Sequence, residues 1–345
     1  MQVLITGCAG MVGSHCVQYY SRRAEKVFGI DSLIRSRLFK SEKKSVEYNW
    51  EYLSKFKNVN RIYLDIRERD DLEEVFKKNS FDLIIHAAAQ PGVSLSLASP
   101  EDDFSINAAG TFNLLELARR YSPSAVFIYC STNKVYGDNL SKYELIEEES
   151  RYSFKNITGI PEDLGVDLTS HTPYGVSKYV GDIYVQEYAA VYGLKAAVFR
   201  MSCIYGIRQF GFQDQGWLAW FLIAALTGKS VNIYGNGKQV RDALFIDDLV
   251  EAFDAFYNSG ISAAVYNIGG GIENTISILE YLNMLEDKLG LKIERSYQDW
   301  RLSDQKVYIS DISKVSAALN WHPRTSISKG IDAVISWVRS NKNMF

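Results

Sequence analysis

The sequence predicts an α/β protein: a doubly wound parallel sheet with a smaller, α-rich domain interleaved with its last strands. Three observations carry this. From Gln2 to Arg200, short and wholly apolar stretches alternate with segments of helical periodicity, the pattern of strands covered by helices on both faces. Beyond Tyr205 the alternation weakens and helical patterning takes over. The length of 345 residues corresponds to two domains at about 150 residues each.

Each element has a local reason. Gln2–Thr6 is an apolar run ending in a glycine turn, and Gly13–Arg22 reads as the helix after it. Lys26–Asp31 is a second strand, closed by an acid. Arg61–Asp65 is the third strand and Asp70–Asn79 a helix. Phe81–Ala88 reads as a strand buried on both faces. Phe104–Tyr121 carries a helical period that starts near Asn107, and Ala125–Ser131 is another buried strand. Pro173–Tyr192 is a long helix with proline in its first turn, where the missing N–H costs nothing. Lys195–Arg200 is one more strand. Ile207–Val240 is rich in Gly, Gln and Trp around one apolar helix, and Asn274–Leu289 and Ser328–Ser340 are amphipathic helices. The expected division assigns 1–200 and about 240–270 to the sheet domain, and about 201–239 with 271–345 to the second.

Composition excludes several function classes. Lys and Arg number 38 against 41 Asp and Glu, a net charge of −3, which argues against an electrostatic nucleic-acid binder. The longest apolar run, Trp217–Leu226, is far short of the ~20 residues of a bilayer span, so no membrane partner is expected. No charged segment followed by an apolar one opens the chain, so no secretory leader is expected. Cys8, Cys16, Cys130 and Cys203 form no CxxC pair and no Cys/His ligand spacing. They are expected to be buried small hydrophobes in a reducing, cytoplasmic compartment, with no metal bound.

Gly7-Cys8-Ala9-Gly10-Met11-Val12-Gly13 joins the first strand to the first helix. Glycines at this spacing allow a tight turn and let a pyrophosphate approach the backbone at the helix N-terminus. Asp31 ends the second strand, and with Ser32 it is placed to meet the adenosine ribose. A carboxylate there repels a 2′-phosphate, so the pattern points to NAD rather than NADP. Arg35 and Arg37 just downstream are cations of the kind that would suit that phosphate. Asp65-Ile66 follows the third strand, where an acid could meet the adenine amine. His86-Ala87-Ala88 ends the fourth strand with small residues that let backbone approach the cofactor; on its own His86 reads as a core histidine.

Tyr174 and Lys178 are four apart on the helix opened by Pro173, so they share a face. A free phenol titrates near ~10, and a nearby ammonium favours the phenolate. Thr132 ends the fifth strand at its carboxyl edge, the side of a parallel sheet where ligands bind. Thr, Tyr and Lys with a strand-end glycine loop suit hydride transfer with proton removal.

At these residues the chain resembles the extended short-chain dehydrogenase/reductases acting on nucleotide sugars. The likeness spans nearly the whole chain, and it implies a Rossmann-type fold with a nucleotide-sugar-binding domain. It also implies NAD as cofactor, Tyr174 as base, Lys178 lowering its pKa and holding the nicotinamide ribose, and Thr132 orienting substrate. The 4,6-dehydratases of this family carry Asp-Glu after the threonine as acid and base. This chain has Asn133-Lys134 there, which cannot readily eliminate water.

Thr132-Asn133-Lys134 instead resembles the CDP-tyvelose/CDP-paratose 2-epimerases, isomerases of lipopolysaccharide biosynthesis. So do Gly206-Ile207-Arg208-Gln209-Phe210, Asp214-Gln215-Gly216-Trp217, the run Gly235–Asp242, Asn267-Ile268-Gly269-Gly270 and Asp304-Gln305-Lys306-Val307. Gly92-Val93-Ser94-Leu95 after Gln90 departs from that pattern.

The resemblance implies inversion of C2 through a 2-keto sugar, with a CDP-sugar as favoured substrate. It implies Asn133 against the sugar and Gln90, Arg208, Gln209, Gln215, Trp217, Arg241 and Arg301 around the substrate, the arginines for its pyrophosphate. It further implies a homodimer or homotetramer built through Phe104–Tyr121 and Pro173–Tyr192. The alternatives are a 4-epimerase or another relative acting on a different nucleotide sugar, and a non-catalytic NAD-binding sensor or scaffold.

Overall fold

The computed structural model describes residues 1–38 and 44–345. They form two units. The first comprises Met1–Val135, Thr172–Arg200 and Val250–Tyr266; the second comprises Tyr136–His171, Met201–Leu249 and Asn267–Phe345. Residues 136–171 and 240–249, which the sequence grouped with the sheet domain, belong to the second unit. Long-range bonds explain this. The Tyr136 hydroxyl donates to Asn267 Oδ1 at 2.7 Å, and Asn267 Nδ2 donates to the Ile160 carbonyl at 2.8 Å.

The first unit is built on a seven-stranded sheet. Its first five strands in chain order are β1 (Gln2–Thr6), β2 (Lys26–Asp31), β3 (Val59–Tyr63), β4 (Leu83–His86) and β5 (Val126–Thr132). The spatial order is Ala263–Ile268, Lys195–Met201, β5, β4, β1, β2, β3. The pairs of β1 with β2 and β4, of β2 with β3 and of β4 with β5 are all parallel. The order reverses at β1, between β4 and β2, which places a ligand crevice at the carboxyl ends of these strands. All seven residues of β5 are buried, as a strand covered on both faces requires. One apolar core holds Leu4, Ile84 and Phe127 of the sheet with Leu114, Leu117 and Val185 of the covering helices.

The helices follow their signals closely. Met11–Tyr20 begins two residues before its expected start, directly at the glycine loop. Pro173–Tyr192 is capped by the Thr172 hydroxyl, which accepts from Gly175 N at 3.3 Å, and stops at Gly193 with φ +70°. The expected Phe104–Tyr121 helix is three pieces: α-helix Pro100–Phe104, a π turn Ser105–Ala109, and α-helix Gly110–Tyr121.

The second unit holds more strand than its sequence signals. Val240–Phe245 pairs antiparallel with Thr275–Ser277 and parallel with both Val307–Tyr308 and Cys203–Tyr205. Strands of two to six residues are too short to show alternation. Helices Trp217–Thr227, Ile278–Leu289 and Ile327–Ser340 occupy the expected segments, the second starting four residues later than expected because Thr275–Ser277 pairs as a strand. Ser277 and Glu280 form a capping box on the second of these. No helix among the described residues is long and apolar enough to cross a membrane.

Candidate active site

The glycine loop is set by close backbone approach. Gly7 has φ +69°, and a Cβ there would lie 2.6 Å from Ala88 N. A Cβ on Gly13 would lie 2.1 Å from the Gly7 carbonyl oxygen. Gly10 is the N-cap of Met11–Tyr20 and has no side chain to cap the first turn. An uncapped helix start against a glycine turn suits a phosphate. Asp31 braces the loop: Oδ2 accepts from Ala9 N and Oδ1 from Leu33 N, both at 2.8 Å. Burial raises its carboxyl pKa, opposed by those two backbone bonds. Asn49 adds a 2.9 Å bond from Nδ2 to the Ala9 carbonyl.

Other predicted cofactor residues are already partnered. Asp65 is held by Arg67, Nε to Oδ1 at 2.9 Å and Nη2 to Oδ2 at 2.8 Å, and Ser32 also reaches its carboxylate. Ile66 is buried, and its side chain lies where a Cβ on Gly110 would go. The His86 imidazole lies in the core. Nδ1 bonds Thr6 Oγ1 at 2.8 Å and Nε2 bonds Thr111 Oγ1 at 2.9 Å. Burial, and secondarily Lys178, hold it well below the usual histidine pKa. What His86, Ala87 and Ala88 present to the glycine loop is therefore backbone.

Thr132, Asn133, Tyr174 and Lys178 come together where β5 meets Pro173–Tyr192. The Thr132 hydroxyl bonds Asn133 Oδ1 at 3.3 Å and is within hydrogen-bonding reach of the Tyr174 phenol. Burial pushes that phenol to about 12, against the Thr132 contact and with Asp103 and Cys130 adding to the rise. Lys178 is 2% exposed. Burial lowers its ammonium to about 8, while Cys130, Asp182 and Asp103 pull it up. Its Nζ lies 4.2 Å from the centre of the Tyr129 ring. Sequence reasoning expects the ammonium to draw the phenol down; burial instead raises it.

Sequence reasoning missed the acids behind this pair. Asp182, fully buried, accepts from Ser131 Oγ at 2.7 Å, Arg200 Nε at 3.0 Å, Arg200 Nη2 at 3.1 Å and Gln186 Nε2 at 2.7 Å. Its position one turn after Lys178 was the available signal. Gln90, expected to meet substrate, is committed inward: its amide donates to Asp103 Oδ1 at 2.8 Å and to the Gly92 carbonyl at 2.9 Å.

In the second unit, Trp217, Arg241 and Arg301 line one cleft together with Gln213, Tyr234, Gln239 and Asp304. Arg241 Nη2 bonds Asp304 Oδ1 at 2.8 Å. Arg301 Nη2 bonds Asp214 Oδ1 at 2.8 Å, and its guanidinium lies 3.9 Å from the Tyr234 ring centre. Trp217 packs edge-on against Tyr281 at 5.3 Å. Three predicted residues are not among those lining this cleft. Arg208 is buried with φ +59° near Asp247, Gln209 is buried and donates to the Ile204 carbonyl at 3.3 Å, and Gln215 closes a turn with Phe212 through backbone bonds.

Residues 3–269 match the family described as NAD dependent epimerase/dehydratase. The chain belongs to that family. It is an NAD-dependent enzyme of the nucleotide-sugar epimerase/dehydratase group, and the uncapped glycine turn fits the cofactor. It is 38% identical to CDP-paratose 2-epimerase of Salmonella typhi, covering 99% of this chain and 100% of that one. A dTDP-glucose 4,6-dehydratase of Haemophilus influenzae is 28% identical over 99% of both. Among solved structures, UDP-glucuronic acid 4-epimerase from Bacillus cereus, in complex with UDP-glucuronic acid and NAD, has a TM-score of 0.83 at 27% identity over 99% of this chain and 100% of that one. UDP-glucose 4-epimerase with UDP-glucose from Thermotoga maritima has a TM-score of 0.82 at 27% identity, with the same coverage.

Proposed function

We propose that this enzyme inverts C2 of a nucleotide sugar, of the CDP-paratose to CDP-tyvelose type, through a transient 2-keto sugar. The observation that carries the reading is Thr132-Asn133-Lys134 at the end of β5. An amide and an ammonium do not readily serve as the acid and base of an elimination, which disfavours dehydration but leaves inversion at C4 open; the choice of C2 is supported by the full-length likeness to a CDP-paratose 2-epimerase. A carbon bearing a hydroxyl is not acidic enough for direct proton abstraction, so inversion by transient oxidation is the accessible route.

In this reading the N–H groups of Met11, Val12 and Gly13 hold the cofactor pyrophosphate against the close-approaching backbone of Gly7 and Gly10, whose own N–H closes the turn on the Gly7 carbonyl at 3.0 Å; Asp31 and Ser32 meet its ribose, Asp65 and Ile66 its adenine, and the backbone of 86–88 its inner edge. When bound, NAD would supply a positively charged hydride acceptor and, once reduced, the hydride donor. Tyr174 removes the proton from the C2 hydroxyl and later returns it. Lys178 holds positive charge near the phenolate, Thr132 orients the reacting oxygen, and Asn133 meets the sugar. Arg241 and Arg301 are the proposed pyrophosphate cations; each guanidinium has five donors, more than its present bonds use.

Product analysis by NMR on a panel of CDP-, UDP-, GDP- and dTDP-sugars tests this. Inversion at C2 of a CDP-sugar is expected, with no solvent deuterium at C2 after turnover in heavy water. Inversion at C4 would move the enzyme to the 4-epimerases, and deuterium washed into C2 would exclude the redox route.

We also infer a homodimer, or a tetramer of dimers, joined through the Pro173–Tyr192 helix. Val176, Ile183, Tyr184 and Val191 are all exposed and repeat at the spacing of one helix face. Light scattering is expected to give twice 39.1 kDa or a multiple of that, falling to one chain in Ile183→Arg. A single-chain mass for the wild type would refute the assembly.

A further inference from the structure

Three aromatic rings of the second unit meet behind its cleft. Phe210 lies 5.3 Å from Trp337, close to perpendicular at 88°, and 5.3 Å from Phe345. Trp337 and Phe345 are 5.6 Å apart at 81°. Each pair has the spacing of a favourable ring contact. Trp337 comes from the last turn of Ile327–Ser340. Beyond that helix the chain doubles back. Asn341 Nδ2 donates to the Trp337 carbonyl at 2.8 Å, and Met344 N donates to the Asn341 carbonyl at 2.9 Å. This brings the Phe345 ring onto the other two. None of the three is among the residues lining the cleft.

Phe210 leads directly into a wall of that cleft. Phe212 and Gln215 close a tight turn on each other, N to O at 3.0 Å and 2.9 Å. The turn carries the groups that hold Arg301. Arg301 Nη2 donates to the Gln213 carbonyl at 3.0 Å and to Asp214 Oδ1 at 2.8 Å. Gln213 Nε2 donates to the Tyr234 hydroxyl at 2.7 Å, and the same Tyr234 ring lies under the guanidinium at 3.9 Å. Arg301 is therefore seated between the turn and a ring that the turn also grips.

A four-residue turn on a half-exposed loop does not fix its own direction. Its two ends do. On one side Gly216 starts the helix Trp217–Thr227 with φ +75°. At the other end Gly211 is pressed on that helix, where a Cβ would lie 2.6 Å from Trp220 N. Phe210, one residue earlier and 8% exposed, is the anchor on that side, and Trp337 and Phe345 are the rings that hold it.

We propose that Phe345, with Trp337, is a positioning residue for the substrate cleft: by clamping Phe210 it fixes the Phe212–Gln215 turn, and through the turn it fixes Arg301. This rests on the reading of Arg301 as a pyrophosphate cation, but not on which sugar carbon is inverted. Ordering a loop and a long side chain on binding costs affinity, and a pre-ordered site avoids that cost. Without the clamp only a fraction of molecules hold Arg301 ready, and apparent affinity falls by that fraction. The chemistry at Tyr174 is not touched.

The test is Phe345→Ala in the NAD-loaded enzyme. The readouts are kcat and KM for whichever nucleotide sugar the wild type turns over, and calorimetric binding of CDP and of UDP. KM and the dissociation constant of the nucleoside diphosphate are expected to rise about 3–10-fold, with kcat unchanged and Phe345→Tyr restoring both. In an Arg301→Ala background Phe345→Ala should add little, because the two act through one route. A lowered unfolding temperature with KM and binding unmoved would mean packing alone and would overturn the proposal, as would effects of the two substitutions that add in full. Should Phe345→Ala not fold, Phe345→Leu removes the ring while keeping apolar bulk and carries the same test. Failure of the underlying reading is distinguishable, since it shows as an Arg301→Ala enzyme with wild-type KM.

Discussion

Tyr174→Phe is expected to lower kcat by about 10²–10⁴-fold, the range for loss of a positioned acid–base group. The ring is retained, so burial in the helix Pro173–Tyr192 is unchanged, and only the contact with Thr132 is lost. Bound NAD and the unfolding temperature should therefore stay close to those of the wild type, and KM should change much less than kcat. The sign of the pKa shift makes the prediction sharper. A phenol at about 12 is almost wholly protonated at neutral pH. The wild-type rate should then rise with pH along its acid limb, and that limb should disappear in Tyr174→Phe. A variant with wild-type kcat would remove Tyr174 from the base role.

Gly13→Ala is expected to release the cofactor and destabilise the first unit. The added methyl would lie 2.1 Å from Gly7 O, 2.7 Å from Gly7 C and 2.8 Å from Cys8 Cα. All three are backbone, so no side chain can turn aside, and overpacking of this kind costs about 1–3 kcal/mol or more. Relief means moving Met11–Tyr20 away from the loop, which spoils the first-turn N–H groups. Gly10→Ala is the internal comparison: its methyl meets only Gly7 O, at 3.1 Å, and should be milder. The checks are nucleotide released on denaturation, measured by chromatography, and thermal unfolding. A Gly13→Ala protein with a full complement of NAD and an unchanged melting temperature would refute this account.

Much of the cofactor unit is legible in the chain because its signals are local. The glycine spacing, the acid ending β2 and the i, i+4 relation of Tyr174 and Lys178 each lie within a short window. What escaped the reading is non-local. Gln90 looks like a substrate residue until Asp103 is seen to take its amide, and Asn107 meets Ser177 across 70 positions of sequence. His86 looks equally able to serve cofactor or core until Thr6 and Thr111 occupy both ring nitrogens. In the second unit Arg208, Gln209 and Gln215 share a motif with Trp217, yet only Trp217 lines the cleft. Adjacent positions in an irregular loop point in directions that no periodicity encodes.

The sequence by itself determined the fold class, the glycine turn and the residues proposed for the chemistry, because strand and helix periods and a glycine turn are properties of neighbouring residues. Only the tertiary structure decided the charge states. Tyr174 at about 12, Lys178 at about 8 and the pairing of Asp182 with Arg200 all follow from burial and from partners brought together by the fold. Desolvation and Coulomb interaction depend on distance in space, which a linear chain does not carry.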